Sequence, residues 1–144
     1  MSIEKLTTHH INLILPIEIE SYPDPWNYSH FLYEVYNPHS KSFVALSENN
    51  LVIGYLITHH IIDTIFVLNL AVDSKYRKMG IASRLLHYLV NFAENEKVIK
   101  IDLEVRKTNE NALSLYRKEQ FETIGERKNF YSDGEDAIIM CKNI

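Results

Sequence analysis

Arg77-Lys78-Met79-Gly80-Ile81-Ala82 joins two segments of opposite character, a nearly continuous apolar run over 64–72 and the most regular amphipathic stretch of the chain, 81–94. The apolar run predicts a central strand buried on both faces. In the stretch that follows, Ile81, Leu85, Leu89 and Phe92 recur at helical spacing while Arg84, His87 and Asn91 fall on other faces. Gly80 therefore opens a helix directly after a buried strand. The first turn of a helix carries N–H groups without internal partners and lies at the positive end of the macrodipole. Small residues at 80 and 82 let an anion approach that backbone, Ser83 adds a hydroxyl, and Arg77 and Lys78 add positive charge. Physically this is a cradle for a pyrophosphate. The plainer alternative is a glycine that caps a turn beside two solvated basic residues. The segment is not a Walker loop, because Lys and Ser/Thr do not follow Gly80, and it lacks the three glycines of the dinucleotide fingerprint. A nucleotide-containing cofactor held by a different loop fits.

Working outward, residues 98–105 alternate cleanly, with Ile99, Ile101, Leu103 and Val105 on one face and Lys100, Asp102, Glu104 and Arg106 on the other. Strand 64–72, helix 81–94 and strand 98–105 form a parallel crossover. On the N-terminal side, 42–46 and 51–58 read as a hairpin around Glu48-Asn49-Asn50. The first forty residues read as mostly helical. Thr8 is the expected cap of a helix that turns Ile11, Ile14, Leu15 and Ile19 inward, with Pro16 interrupting it. A second helix is expected over 28–36, after the break Tyr22-Pro23-Asp24-Pro25-Trp26. On the C-terminal side, 109–119 is a short helix, and 122–131 and 137–141 form a hairpin around Asp133-Gly134. The expected class is α+β (mixed α/β), with a mostly antiparallel sheet, one parallel pair and flanking helices.

The chain has 144 residues with 46% hydrophobic and 24% charged, which suits one domain with a real core and argues against disorder. No apolar run reaches the length of a spanning helix, and the N-terminus lacks the build of a secretory signal. The expected location is the cytoplasm, with no membrane partner. The net charge of −4 offers no basic footprint for nucleic acid. A single cysteine, Cys141, excludes an internal disulfide framework and a cysteine-based zinc cluster. Seven histidines include the adjacent pairs His9-His10 and His59-His60, whose side chains diverge in a helix or strand. No His-Glu-x-x-His motif is present, so no metal is expected.

The loop 77–82 resembles the acetyl-CoA loop of the GNAT acetyltransferases, Gln/Arg-x-x-Gly-x-Gly/Ala, and Leu70-Ala71-Val72-Asp73 precedes it. Further motifs resemble the RimI-type enzymes, which acetylate the N-terminal alanine of a ribosomal protein. These are Pro25-Trp26, Leu103-Glu104-Val105-Arg106 followed by Asn109, Ala112 to Tyr116, and Arg127-Lys128-Asn129-Phe130-Tyr131 with Asp133 to Met140. The likeness runs from about residue 24 to 140 in one order. It implies a single GNAT domain over residues 1–144, in which the parallel strands splay apart to admit the pantetheine arm of acetyl-CoA. It further implies that the backbone of Leu70, Ala71 and Val72 meets that arm, that Arg77, Lys78, Met79, Gly80, Ile81, Ala82 and Ser83 hold the pyrophosphate, and that Asn109 and Tyr116 contact the cofactor. Two departures stand out. Gln120 replaces the glycine usual after the Tyr-bearing helix, and Phe130 replaces the first tyrosine of a Tyr-Tyr pair.

Acetyl transfer needs a neutral amine, and a peptide α-amine with a pKa of about 8 is mostly protonated at neutral pH. A carboxylate base helps. The likeness assigns this role to Glu104 at the end of the second parallel strand; by itself the residue reads as a surface glutamate paired with Lys100 or Arg106. The same likeness makes Tyr116 the acid for the departing thiolate, although its spacing beside Leu113 also suits a core aromatic. A backbone N–H near Val72 is the expected oxyanion donor. Trp26 and Tyr131 are expected to line the groove for the acceptor's first residues. Cys141 reads as a buried hydrophobe, which leaves direct transfer in a ternary complex. The expected acceptor is a protein N-terminus, that of a ribosomal protein. The alternatives are a small amine or lysine side chain, or a silent acyl-CoA-binding module, which would need neither Glu104 nor Tyr116.

Overall fold

The computed structural model describes residues 1–144. Its strands form one seven-stranded sheet in the order β1-β2-β3-β4-β5-β7-β6. β1 is Ser2–Lys5, β2 Phe43–Leu46, β3 Val52–Ile61, β4 Thr64–Val72, β5 Lys100–Arg106, β6 Glu122–Arg127 and β7 Ala137–Asn143. The helices are α1 (Thr8–Ser21), α2 (Tyr28–Tyr36), α3 (Ile81–Asn95) and α4 (Glu110–Lys118). Only β4 and β5 run parallel; every other neighbouring pair is antiparallel. The fold class is the expected one, and no helix is long and apolar enough to cross a membrane.

Strand alternation gives the sheet two apolar faces. Phe43, Ala45, Ile53, Leu56, Ile101, Leu103 and Val105 pack against α3 and α4 in the larger core, where Ile81, Leu85, Leu86, Leu89 and Leu113 complete the contact. Val44, Leu46, Tyr55 and Ile57 pack on the other face against Ile11, Ile14 and Ile17 of α1 and Phe31 of α2. β4 changes phase between these faces. Ile65 and Val67 belong to the larger core, and so does Leu70, three residues on. The cause is a bulge: Thr58 pairs with Val67 and Ile57 with Asn69, which leaves Leu68 as an extra residue. Beyond the bulge Asn69 and Ala71 turn toward α1.

The parallel pairing of β4 with β5 runs from Thr64↔Lys100 to Val67↔Leu103 and then stops. β4 continues to Val72 and β5 to Arg106 with no ladder between them. This is the splay that the likeness implied.

Several boundaries differ from the sequence reading. Residues 2–5 form a strand on the edge of the sheet, where helix was expected. Thr7, not Thr8, precedes α1, and its N–H donates to His10 Nδ1 at 3.0 Å. The helix passes through Pro16, which lies exposed, so the carbonyl it leaves unpaired on the preceding turn faces water. Its inward face is Ile11, Ile14, Ile17 and Glu18, whereas Ile19 is 64% exposed. Ile11 and Ile14 face inward as expected and Leu15 packs half-buried beside them, so only Ile19 departs from the expected stripe. Strand β6 ends at Arg127, and 128–136 form the connection to β7.

Gln120 has φ 69°, in the left-handed region. It occupies the position after the cap of α4, with Gln120 N–H donating to Arg117 O and Phe121 N–H to Tyr116 O, both at 2.9 Å. The Phe121 and Tyr116 rings meet at 5.6 Å, which completes a Schellman closure. Glycine suits that backbone better than glutamine. Gln120→Gly is expected to raise unfolding stability by about 1 kcal/mol, read as a higher urea midpoint at unchanged m-value.

Candidate active site

The splay opens into a cleft of about 470 Å³ that is lined from both faces of the sheet. From the α3/α4 side come Ala82, Ala112, Leu115 and Tyr116, and from the α1/α2 side Glu18, Tyr22, Asp24, Trp26 and Tyr131. Residues 67–72 of β4 form one wall and Glu104, Val105 and Arg106 of β5 the other. Two reactants can therefore approach from opposite faces and meet between the strands.

The β4 wall offers backbone groups. Asp73 N–H donates to Ile53 O, and the pairs Ala71↔Tyr55 and Asn69↔Ile57 continue that phase toward β3. Leu70 and Val72 then direct their N–H and C=O groups into the splay. Two side chains confirm the direction. The Tyr22 hydroxyl donates to Leu70 O, and Arg77 Nε donates to Val72 O at 3.1 Å. The N–H groups of Leu70 and Val72 remain on the same side, available to an extended amide-bearing chain or to a developing oxyanion.

Gly80 has φ 80° and directly precedes α3. A Cβ there would meet no atom within 4 Å, so the position needs glycine for its backbone conformation and leaves open space beside the first turn of α3. Lys78 is also left-handed at φ 62°. Arg77 does not point free into solvent: besides Val72 O it reaches Ser21 Oγ at 3.3 Å and Glu20 Oε1 at 3.6 Å, and so ties the loop to α1. Ile81 is buried in the larger core, which leaves its backbone N–H as the group it can offer a ligand. Of the expected cofactor residues, Leu70, Ala71, Val72, Arg77, Ala82, Asn109 and Tyr116 line the cleft. Lys78, Met79, Gly80, Ile81 and Ser83 lie outside its lining, within the same loop and first helical turn. An open backbone edge followed by a left-handed glycine at a helix start fits the pantetheine arm and pyrophosphate of acetyl-CoA.

Glu104 stands on β5 on the α1/α2 side, 31% exposed at its side chain, with Oε1 3.0 Å from Arg127 Nε. Its partner is thus neither Lys100 nor Arg106. Lys100 pairs with Asp102. Arg106 holds Asp24, Asp133 and Glu135 at 3.3, 2.8 and 2.9 Å, with its guanidinium 4.2 Å from the Tyr131 ring centroid. That one arginine fastens the 22–27 and 128–136 connections to the end of β5, which fixes the α1/α2 side of the cleft.

Tyr116 is 7% exposed and reaches the cleft from α4. Burial pushes its hydroxyl well above the ordinary phenol value, and Tyr22 and Tyr131 nearby add to the shift. Burial likewise raises Tyr131, to about 12, against the pull of Arg106. Both phenols are donors at neutral pH. Asn109 caps α4, its Oδ1 accepting from Ala112 N–H at 3.1 Å. Trp26 lines the cleft and packs its ring on Phe31 at 5.2 Å. Phe130 is not among the residues that line the cleft; its ring packs edge-on against Tyr131 at 5.0 Å. No cluster of three His, Cys, Asp or Glu side chains is placed to hold a metal ion.

Sequence reasoning missed Glu18, Tyr22, Asp24, Asn69 and Arg106. One signal was present for Glu18: it falls at helical spacing with Ile11 and Ile14, a charge in an apolar stripe.

Residues 11–121 match the Acetyltransferase (GNAT) family. The [ribosomal protein bS18]-alanine N-acetyltransferase of Haemophilus ducreyi is 31% identical over 145 residues, spanning 96% of this chain and 97% of that one. An N-alpha-acetyltransferase of Saccharolobus solfataricus is 30% identical over 145 residues, covering 92% and 86%. The crystal structure of the ribosomal-protein-S18-alanine N-acetyltransferase from Escherichia coli superposes with a TM-score of 0.90 at 31% identity, over 99% of this chain and 93% of that chain. The splayed strands, the glycine loop and these likenesses agree: the chain belongs to the GNAT family of acetyltransferases, enzymes that take their acetyl group from acetyl-CoA.

Proposed function

We propose that the chain transfers acetyl from acetyl-CoA to the N-terminal α-amine of a protein, as its ribosomal-protein relatives do, with an alanine-starting ribosomal protein of the cytoplasm as acceptor. The observation that carries this reading is the two-sided cleft. A donor bound along β4 leaves the α1/α2 side free for a peptide end, where Trp26 and Tyr131 flank the opening. The backbone of Leu70 and Val72 holds the pantetheine arm, while the backbone groups of Ala71, expected to share this role, are turned to β3. Residues 77–83 hold the pyrophosphate, mostly through backbone N–H groups at the start of α3, and Asn109 meets the cofactor near α4.

Glu104 receives the proton of the incoming ammonium, so that a neutral amine attacks the thioester carbonyl. One backbone N–H of this wall, near Val72, meets the negative charge that develops on the acetyl oxygen. As the carbon–sulfur bond breaks, the Tyr116 hydroxyl donates its proton to the sulfur. The products are the acetylated N-terminus and the free thiol. No cysteine of the chain lines the cleft, in keeping with direct transfer.

The test is free-thiol release from acetyl-CoA with two peptides, one starting with a free alanine and one blocked at the N-terminus but containing lysine. Release with the free N-terminus alone is expected. Release with the blocked lysine peptide at an equal rate overturns the reading in favour of a side-chain acceptor.

A further inference from the structure

Glu18 is 1% exposed, yet no basic side chain pairs with it. The glutamates in ion pairs are Glu20, Glu34, Glu104, Glu119, Glu126 and Glu135. Glu18 is held by neutral donors only. The Tyr55 hydroxyl and Asn69 Nδ2, the latter at 2.7 Å, donate to Oε1, and Trp26 N–H donates to Oε2 at 2.9 Å. A carboxylate offers about four lone-pair sites, so acceptor capacity remains on Oε2. A buried charge without a counter-charge is costly to the fold.

The second observation lies beside it. Asn69 is 7% exposed, and its Oδ1 is buried with no hydrogen-bond partner. The amide cannot be turned to remedy this, because its nitrogen is the group that donates to Glu18. Both residues line the cleft, and the bulge at Leu68 is what turns Asn69 to the α1 face. This floor offers the spare lone pairs of a carboxyl group that has no basic partner and of an unpaired amide oxygen. It is built for a small cation that carries several N–H groups. A tie between α1 and the sheet would explain the bonds that Glu18 makes, but not the empty acceptor on Asn69.

We propose that Glu18 and Asn69 receive the terminal ammonium group of the acceptor, as a substrate-binding pair additional to Glu104. Glu18 balances the positive charge and Asn69 Oδ1 accepts one N–H, which orients the nitrogen before Glu104 takes a proton. The proposal rests on the amine-acetylating reading above and adds where the amine is held. It also explains selection of a primary amine, since a blocked N-terminus has neither the charge nor the spare N–H groups.

Asn69→Leu keeps the volume and removes the acceptor; Glu18→Gln removes the charge. Each is expected to raise KM for an alanine-starting peptide by about tenfold or more, the loss that one hydrogen bond to a charged group carries, with KM for acetyl-CoA within about twofold. An unchanged peptide KM in both variants overturns the proposal. Should neither variant fold, the wild-type protein decides by NMR. The Asn69 side-chain amide resonances are expected to shift on titration with the free-amine peptide and not with its Nα-acetylated form; equal shifts, or none, overturn the proposal. A wild-type enzyme that acetylates no peptide counts against the N-terminal reading instead. The same resonances titrated with spermidine then test the pair, and the absence of a shift overturns it.

Discussion

Glu104→Gln is expected to lower kcat/KM for an alanine-starting peptide by about 100-fold or more, the range of general-base contributions, while leaving acetyl-CoA affinity near the wild-type value. Glutamine keeps the shape of the side chain on β5 and can still accept one hydrogen bond, but it cannot take a proton. The only ionic partner lost is Arg127, itself 57% exposed, and an exposed pair of this kind contributes about 0–1 kcal/mol to stability. The loss should therefore appear in the chemistry and not in the melting temperature. Raising the pH is expected to recover part of the lost rate, because the free amine then forms without a base. A variant with wild-type rates at neutral pH removes Glu104 from the mechanism.

Tyr116→Phe is the second large effect, a fall of about 100-fold in kcat with little change in KM for either substrate. The departing thiolate is a base, and a proton from Tyr116 stabilises it as the carbon–sulfur bond breaks. Burial holds the Tyr116 phenol above its ordinary value of about 10, which keeps it protonated across the physiological range. Wild-type activity should thus show no loss from Tyr116 ionisation below about pH 10. The Schellman closure through Gln120 and Phe121 holds Tyr116 whichever side chain it carries, so the variant should fold. A variant that loses acetyl-CoA binding in proportion to its rate assigns Tyr116 to the cofactor and not to proton transfer.

Much of this was legible in the sequence where physical signals are local. The regular stripe of α3, the alternation of β5 and the glycine before Ile81 each require only a few neighbours to read. Linked motifs then pointed to Glu104 and Tyr116 as the proposed base and acid, where spacing alone leaves a surface carboxylate and a core aromatic. What stayed hidden depends on pairing between distant strands. The bulge at Leu68 exists only in the register of β4 against β3, and it decides that Asn69 faces α1. β1 is a four-residue edge strand, too short for its alternation to be read without β2 beside it. Glu18 was obscured by the choice of Ile19 to close the stripe begun by Ile11 and Ile14: a glutamate argues against the inward face until Tyr55 and Asn69 are known to meet it. The role of Arg106 joins Asp24 to Asp133 and Glu135 across more than a hundred residues of chain, a link no spacing reveals.

The most direct measurement is tandem mass spectrometry of one peptide that starts with a free alanine and carries an internal lysine, after incubation with the enzyme and acetyl-CoA. A single acetyl group on the alanine nitrogen, absent with Glu104→Gln over the same interval, is the predicted result. Acetylation of the lysine with the alanine left free would contradict the account.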